Sequence, residues 1–244
     1  MANWSDPRAT ASPQPGTLGR EGVAYDAGLR SYMLSVYNYM TSGVLLTGII
    51  ALLFAQSAAA PAILFGPGIL KYVIMFSPLL FVLVLNFGIE RLSTGAAQAL
   101  FWAFAGVMGL SMASIFFVFS GQSIATTFFA TAASFASLSL WGYTTKKDLS
   151  GLGVFLIMGL FGILIALVIN IFVQSTAFQL AISVIGVLVF AGLTAYDTQR
   201  VKSLYFHVQG SDLVGKTAIM GALSLYLDFV NMFTFLLNLM GNRD

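Results

Sequence analysis

Residues 217–239 read TAIMGALSLYLDFVNMFTFLLNL, an apolar run in which Asp228 is the only charged residue. A helix of that length rises about 34 Å, enough to cross the roughly 30 Å hydrocarbon core of a bilayer. Within it Ser224, Asp228, Asn231 and Asn238 follow at spacings of four, three and seven, which at about 100° per residue puts them on one narrow face. Lipid does not tolerate such a stripe, so the face turns toward protein or water. A carboxylate at membrane depth costs roughly 2.5–3.5 kcal/mol on insertion scales and marks a functional site by default.

The preceding run, 178–198, has the same character. Ser183, Gly186, Thr194 and Asp197 share a face at spacings of three, eight and three. Ser, Thr, Gly and Asn at such positions read first as packing glue between helices. The aspartates do not, because glue rarely needs an ionisable group. Every other carboxylate lies in the N-terminal tail (Asp6, Glu21, Asp26), between apolar runs (Glu90, Asp148, Asp212) or at the end (Asp244).

Five further apolar runs precede these two, at 31–55, 69–88, 96–119, 124–143 and 152–173. They are too long for barrel strands, which last about ten residues and alternate in polarity. The expected fold is all-α: a polytopic membrane protein with seven transmembrane helices over residues 30–244, preceded by a disordered cytoplasmic tail over 1–29. That tail is broken by Pro7, Pro13 and Pro15 and has no apolar core, so the first span serves as its own insertion signal.

Composition agrees. The chain of 244 residues is 58% hydrophobic and 8% charged, against about 25% charged in a typical soluble domain. A net charge of +2 and the lack of any recognition motif speak against nucleic acid. The absence of cysteine excludes disulfides, thiolate metal sites and a cysteine nucleophile. With seven spans, Arg8, Arg20, Arg30, Arg91, Lys146, Lys147, Arg200, Lys202 and Lys216 fall on one side and only Lys71 and Arg243 on the other. The positive-inside rule then puts the N-terminus in the cytoplasm and the C-terminus outside.

Whether Asp197 and Asp228 meet depends on the connector between their helices. Asp197 lies near the end of its run and Asp228 about eleven residues into the next, so their nominal depths differ by roughly three turns. They match if the sixth helix continues past Thr198 or the seventh starts late or kinks, and Gly215 and Gly221 permit either. Two carboxyl groups meeting in a low-dielectric site cannot both ionise cheaply and hold one proton between them. That proton draws two helices together; its loss turns the link into repulsion. The single histidine, His207, falls in the polar connector and reads as a solvated residue. Arg91 closes the second span, either as an interfacial anchor or as a latch reaching a carboxylate such as Asp197.

Catalysis finds little support, and the chain is expected not to be an enzyme. Ala195-Tyr196-Asp197 contains the Tyr-Asp pair of intramembrane aspartyl proteases, but the second site, Tyr226-Leu227-Asp228, lacks their glycine. No membrane histidine is present for a rhomboid-type serine protease, and no His-Glu-x-x-His, P-loop or paired-glycine fingerprint occurs. An ion-driven transporter would use buried acids too, but the symmetric halves and broken helices of that class are not evident.

Five stretches resemble the Bax inhibitor-1 (transmembrane Bax inhibitor motif) family in its bacterial branch. They are YDAGLRSYMLSVYNYM from Tyr25, ERLSTGAAQALFWAF from Glu90, YTTKKDLSGLG from Tyr143, GLTAYDTQRVK from Gly192 and ALSLYLDFVNMF from Ala222. The resemblance implies two three-helix layers around a central C-terminal helix. It also implies a passive, pH-sensitive calcium leak governed by a hydrogen-bonded aspartate pair matching Asp197 and Asp228, with Arg91 as the matching latch. On this reading Asp197, Asp228 and Asn231 line the cation pathway, and the two aspartates hold a passing metal ion transiently. The expected partners are membrane lipids and calcium ions, with calcium as permeant ion rather than cofactor, in a bacterial inner membrane. The alternative is a regulator that binds and modulates a membrane protease or stress-response partner.

Overall fold

In hydrocarbon every backbone N–H and C=O must find a partner within the protein, which leaves the helix as the natural form for long apolar runs. The computed structural model describes the backbone of residues 15–242 and the side chains of residues 27–242. Eight α-helices and one 3₁₀ turn make up the described chain: α1 Pro15–Ala55, α2 Ala60–Phe65, α3 Leu70–Gly88, α4 Thr94–Met112, η1 Ala113–Phe117, α5 Gly121–Thr144, α6 Ser150–Val173, α7 Thr176–Val208 and α8 Val214–Met240. Seven of them are long and apolar enough to cross a membrane.

The helix ends are written in the local sequence. Ser93, Ser120 and Ser175 accept hydrogen bonds from the backbone N–H groups of Ala96, Ser123 and Phe178, capping α4, α5 and α7. Gln174 takes a left-handed conformation (φ 51°) that ends α6, and its N–H bonds Asn170 O at 2.8 Å. Asn170 also donates to Gln179 Oε1 and accepts from Ser175 N, so its side chain fastens the two-residue turn into α7.

Two features depart from the hydropathy reading. The short α2 fills the first loop, and its second residue is Pro61, which an early helical position accommodates at no hydrogen-bonding cost. At the other end of the first span, α1 runs back to Pro15. The helix so extends into residues that the sequence reading assigns to the N-terminal tail. Residues 1–14 of that expected tail lie outside the described residues.

The bundle is organised around α8. Of its most apolar window 67% is buried, against at most 33% for any other span, which makes it the central helix. Helix α8 packs on α1, α4, α5 and α7; α1, α3 and α4 pack together on one side, and α7 joins α5 and α6 on the other. Its aromatic residues engage a different neighbour in each direction. Tyr226 meets Phe104 of α4 (ring centroids 5.1 Å), Phe229 meets Phe135 of α5 (5.6 Å) and Phe235 stacks on Phe190 of α7 (5.9 Å). Edge-to-face and offset contacts of this kind contribute about 0.5–1.5 kcal/mol each beyond the area they bury.

Candidate functional site: a carboxyl pair between the last two helices

Helix α7 does not stop where its apolar run ends. Its last two and a half turns, RVKSLYFHV, carry Val201 and Tyr205 four residues apart, and both are buried. Tyr205 lies against the Tyr32 ring of α1 at 5.3 Å between centroids. This amphipathic face holds in helical form a stretch that hydropathy alone reads as connector. The true connector is 209–213, where Gly210 adopts φ 77° and lets the chain turn back into α8.

That extension brings the two acids to within about one turn of the same depth. Asp197 lies eleven residues before Val208 and Asp228 fourteen after Val214, about 16 and 21 Å along antiparallel helices measured from the same turn. The two carboxyl groups lie close enough to act directly on each other. Carboxylate oxygens only accept, so a hydrogen bond between the two would need a proton on one of them. Asp228 is buried (4% exposed), while Asp197 is half-buried. Asp228 Oδ2 is buried and takes no hydrogen bond from an N–H or hydroxyl among the described residues, which leaves the neighbouring acid as the group able to satisfy this carboxyl.

The positive charge acting on Asp197 is that of Arg200, three residues beyond it on the same helix. Arg91 lies exposed in the turn after α3, its N–H bonded to Gly88 O, and among the described residues it makes no ion pair. The tie between that turn and α8 is instead Lys216 Nζ, which donates to Glu90 O at 3.3 Å. Asn231, half-buried one turn from Asp228, donates Nδ2 to Leu227 O at 2.8 Å, which directs its carbonyl oxygen away from its own helix backbone. His207 is exposed near the end of α7 and contacts Ser203 O through Nδ1.

The remaining polar residues of α7 behave as packing groups. Ser183 and Thr194 return their hydroxyls to Gln179 O and Phe190 O on their own helix. Gly186 lets the Phe235 ring approach until a Cβ would lie 2.7 Å from it. Thr198 is different. It donates to Thr194 O at 2.7 Å, which uses its only proton, so Ser139 of α5 donates to Thr198 (2.9 Å) and Tyr37 of α1 donates to Ser139 (2.7 Å). This chain of hydroxyls links three helices beside the acid pair. Its sequence signal is the spacing by four of Ser123, Thr127, Thr131, Phe135 and Ser139, all buried. Among the described residues no group of three or more His, Cys, Asp or Glu could hold a metal ion, so any cation at the pair would have two protein carboxyl groups.

Comparison with known proteins places this geometry in a family. The family model described as inhibitor of apoptosis-promoting Bax1 matches residues 29–244. A protein of Rickettsia prowazekii is 44% identical over 228 residues, covering 93% of this chain and 96% of its own length. The inner membrane protein YbhL of Escherichia coli is 45% identical over 219 residues, 89% of this chain and 94% of its own. A Caulobacter vibrioides protein is 42% identical, covering 92% and 94%.

Proposed function

The chain belongs to the Bax inhibitor-1 family, and from that premise we propose that it is a passive, pH-sensitive cation leak of the bacterial inner membrane, permeable to calcium and gated by Asp197 and Asp228. The observation that carries this reading is the juxtaposition of the buried Asp228 carboxyl with that of Asp197 between α7 and α8. Holding one proton, the pair bridges the two helices and the path stays shut. Losing it leaves two anions in contact with little water around them, and their repulsion parts the helices.

Once apart, the carboxylates and the Asn231 carbonyl oxygen are hard ligands suited to calcium. Two or three such ligands bind weakly, as conduction requires. We assign to Arg200, which already acts on Asp197, the charge that eases loss of the shared proton and so sets the pH of opening; Arg91 takes the latch role only if the end of α3 swings toward the pair. The cation-rich side faces the cytoplasm, by the positive-inside rule, and the inner-membrane location is that of the relative YbhL.

Calcium-indicator flux in proteoliposomes tests this. The wild-type leak is expected to rise with pH as the pair loses its shared proton. In Asp228→Asn the amide donates to the Asp197 carboxylate at every pH, so the leak stays low and loses its pH dependence. A wild-type protein that carries no flux at any pH sinks the channel reading in favour of a regulator acting through a membrane partner.

A further inference from the structure

A second feature plays no part in that gate. Between α1 and α5 lies an open cleft of about 860 Å³, within the roughly 300–1,000 Å³ range of ligand-binding pockets. Its walls are apolar: Met33 and Val44 on α1 and Phe135 on α5, with Phe229 of α8 beneath. The rim residues Leu34, Leu45 and Leu140 are exposed by half or more, so the cleft opens sideways toward the bilayer.

Of the hydroxyls that line the cleft, those of Tyr37 and Ser139 bond each other across it. Their bridge also ties the walls together and leaves no room between them for a helix of about 10 Å diameter. A flexible hydrocarbon chain is the occupant such a slot admits.

Charge is confined to one end. Arg30 lines the mouth, and so does Tyr143. Lys202 stands behind Tyr143, donating to its carbonyl at 2.8 Å with Nζ 4.8 Å from the ring centroid. An apolar slot open to lipid and headed by Arg30, with Lys202 behind the Tyr143 at its mouth, is complementary to an amphiphile with a negative head. We propose that this cleft binds one anionic phospholipid from the leaflet on the cation-rich side, its acyl chain between α1 and α5 over Phe229 and its phosphate at Arg30 and Lys202. The proposal does not rest on the gating mechanism.

Native mass spectrometry of the full chain released from nanodiscs containing phosphatidylglycerol and phosphatidylcholine tests it. The expected result is one retained phosphatidylglycerol per chain, in preference to phosphatidylcholine. Arg30→Gln should lower that preference about fivefold, corresponding to about 1 kcal/mol for one basic residue at a membrane surface. Ala136→Trp, which fills the cleft from its α5 wall, should lower retention of both lipids, and Ala136→Leu offers the same reading from a smaller side chain should the first variant not fold. Equal retention in the wild type and a folded cleft-filling variant overturns the proposal, as does a wild-type preference that Arg30→Gln leaves untouched. A dimer that disappears on filling the cleft also overturns it, by assigning the slot to a second copy of the chain.

Discussion

Ser139 Oγ lies 2.9 Å from Thr198 Oγ1, so the residue next to Asp197 is tied to α5 and, through Ser139, to Tyr37 of α1. The order of donation is fixed, since Thr198 commits its proton to Thr194 O. Removing the middle member therefore orphans the Tyr37 donor, whereas removing Tyr37 leaves Ser139 still donating to Thr198.

A double-mutant cycle reads that order. Measured hydrogen bonds between transmembrane helices average about 0.6 kcal/mol and reach about 1.7. Tyr37→Phe should destabilise by about the average and Ser139→Ala by more, because it breaks two bonds. The double variant should cost no more than Ser139→Ala alone, the non-additivity expected of residues in one network. Denaturant or thermal unfolding in detergent checks this; strictly additive losses would mean that the chain does not act as a unit.

Arg200 should tune the leak through Asp197. Its positive charge favours the ionised carboxyl, so Arg200→Gln makes the shared proton harder to lose. The rise of flux with pH is then expected to move to higher pH. Arg200 is exposed, so solvent screens its charge, and the difference between variant and wild type should shrink at high salt. A shift toward lower pH, or none, would show that Arg200 does not act on the pair through its charge.

The seven spans were legible because lipid demands about twenty apolar residues per crossing, and the structure has helices at all seven runs. The two acids stood out for the same reason, as charges inside such runs. Their meeting was not legible. It depends on RVKSLYFHV staying helical, and that stretch is held by Val201 and Tyr205 packing on other helices rather than by its mean hydropathy. Spacing by four would have revealed it, as it would have revealed the buried α5 stripe that ends at Ser139. Arg200 was counted only as a charge for orientation. Its action on Asp197 follows from a three-residue offset that puts the two on neighbouring positions of one helix face.

Helix approach at glycine supplies a paired test. A Cβ on Gly142 of α5 would run into the backbone of Ala195 on α7, which cannot yield as a side chain can. Gly48 of α1 has nothing within 4 Å of the same position. Gly142→Ala should destabilise by about 1–3 kcal/mol, the usual cost of overpacking, and should push α5 away from α7 next to the Ser139–Thr198 bond. Gly48→Ala should be neutral or slightly stabilising, since alanine is the better helix former. Equal stabilities for the two variants would mean that α5 and α7 are not packed this closely.

Gly210 gives the most direct handle on how the two acids come to the same depth. It is exposed, has φ 77° and has no atom within 4 Å of a built Cβ, so a substitution there meets a conformational cost and no steric one. Most side chains pay about 1–2 kcal/mol in the left-handed region, while asparagine tolerates it through local hydrogen bonding. Gly210→Ala should therefore lower stability by about 1 kcal/mol and Gly210→Asn by clearly less. The same ranking should hold for hydrogen exchange in the last turn of α7 and the first of α8, because a strained turn frays both ends. If the turn sets the register of Asp197 against Asp228, Gly210→Ala should also weaken their contact and raise the leak at a pH where the wild type is shut. Alanine and asparagine variants that match in stability, exchange and flux would show that packing along α7 and α8, and not the turn, fixes the register.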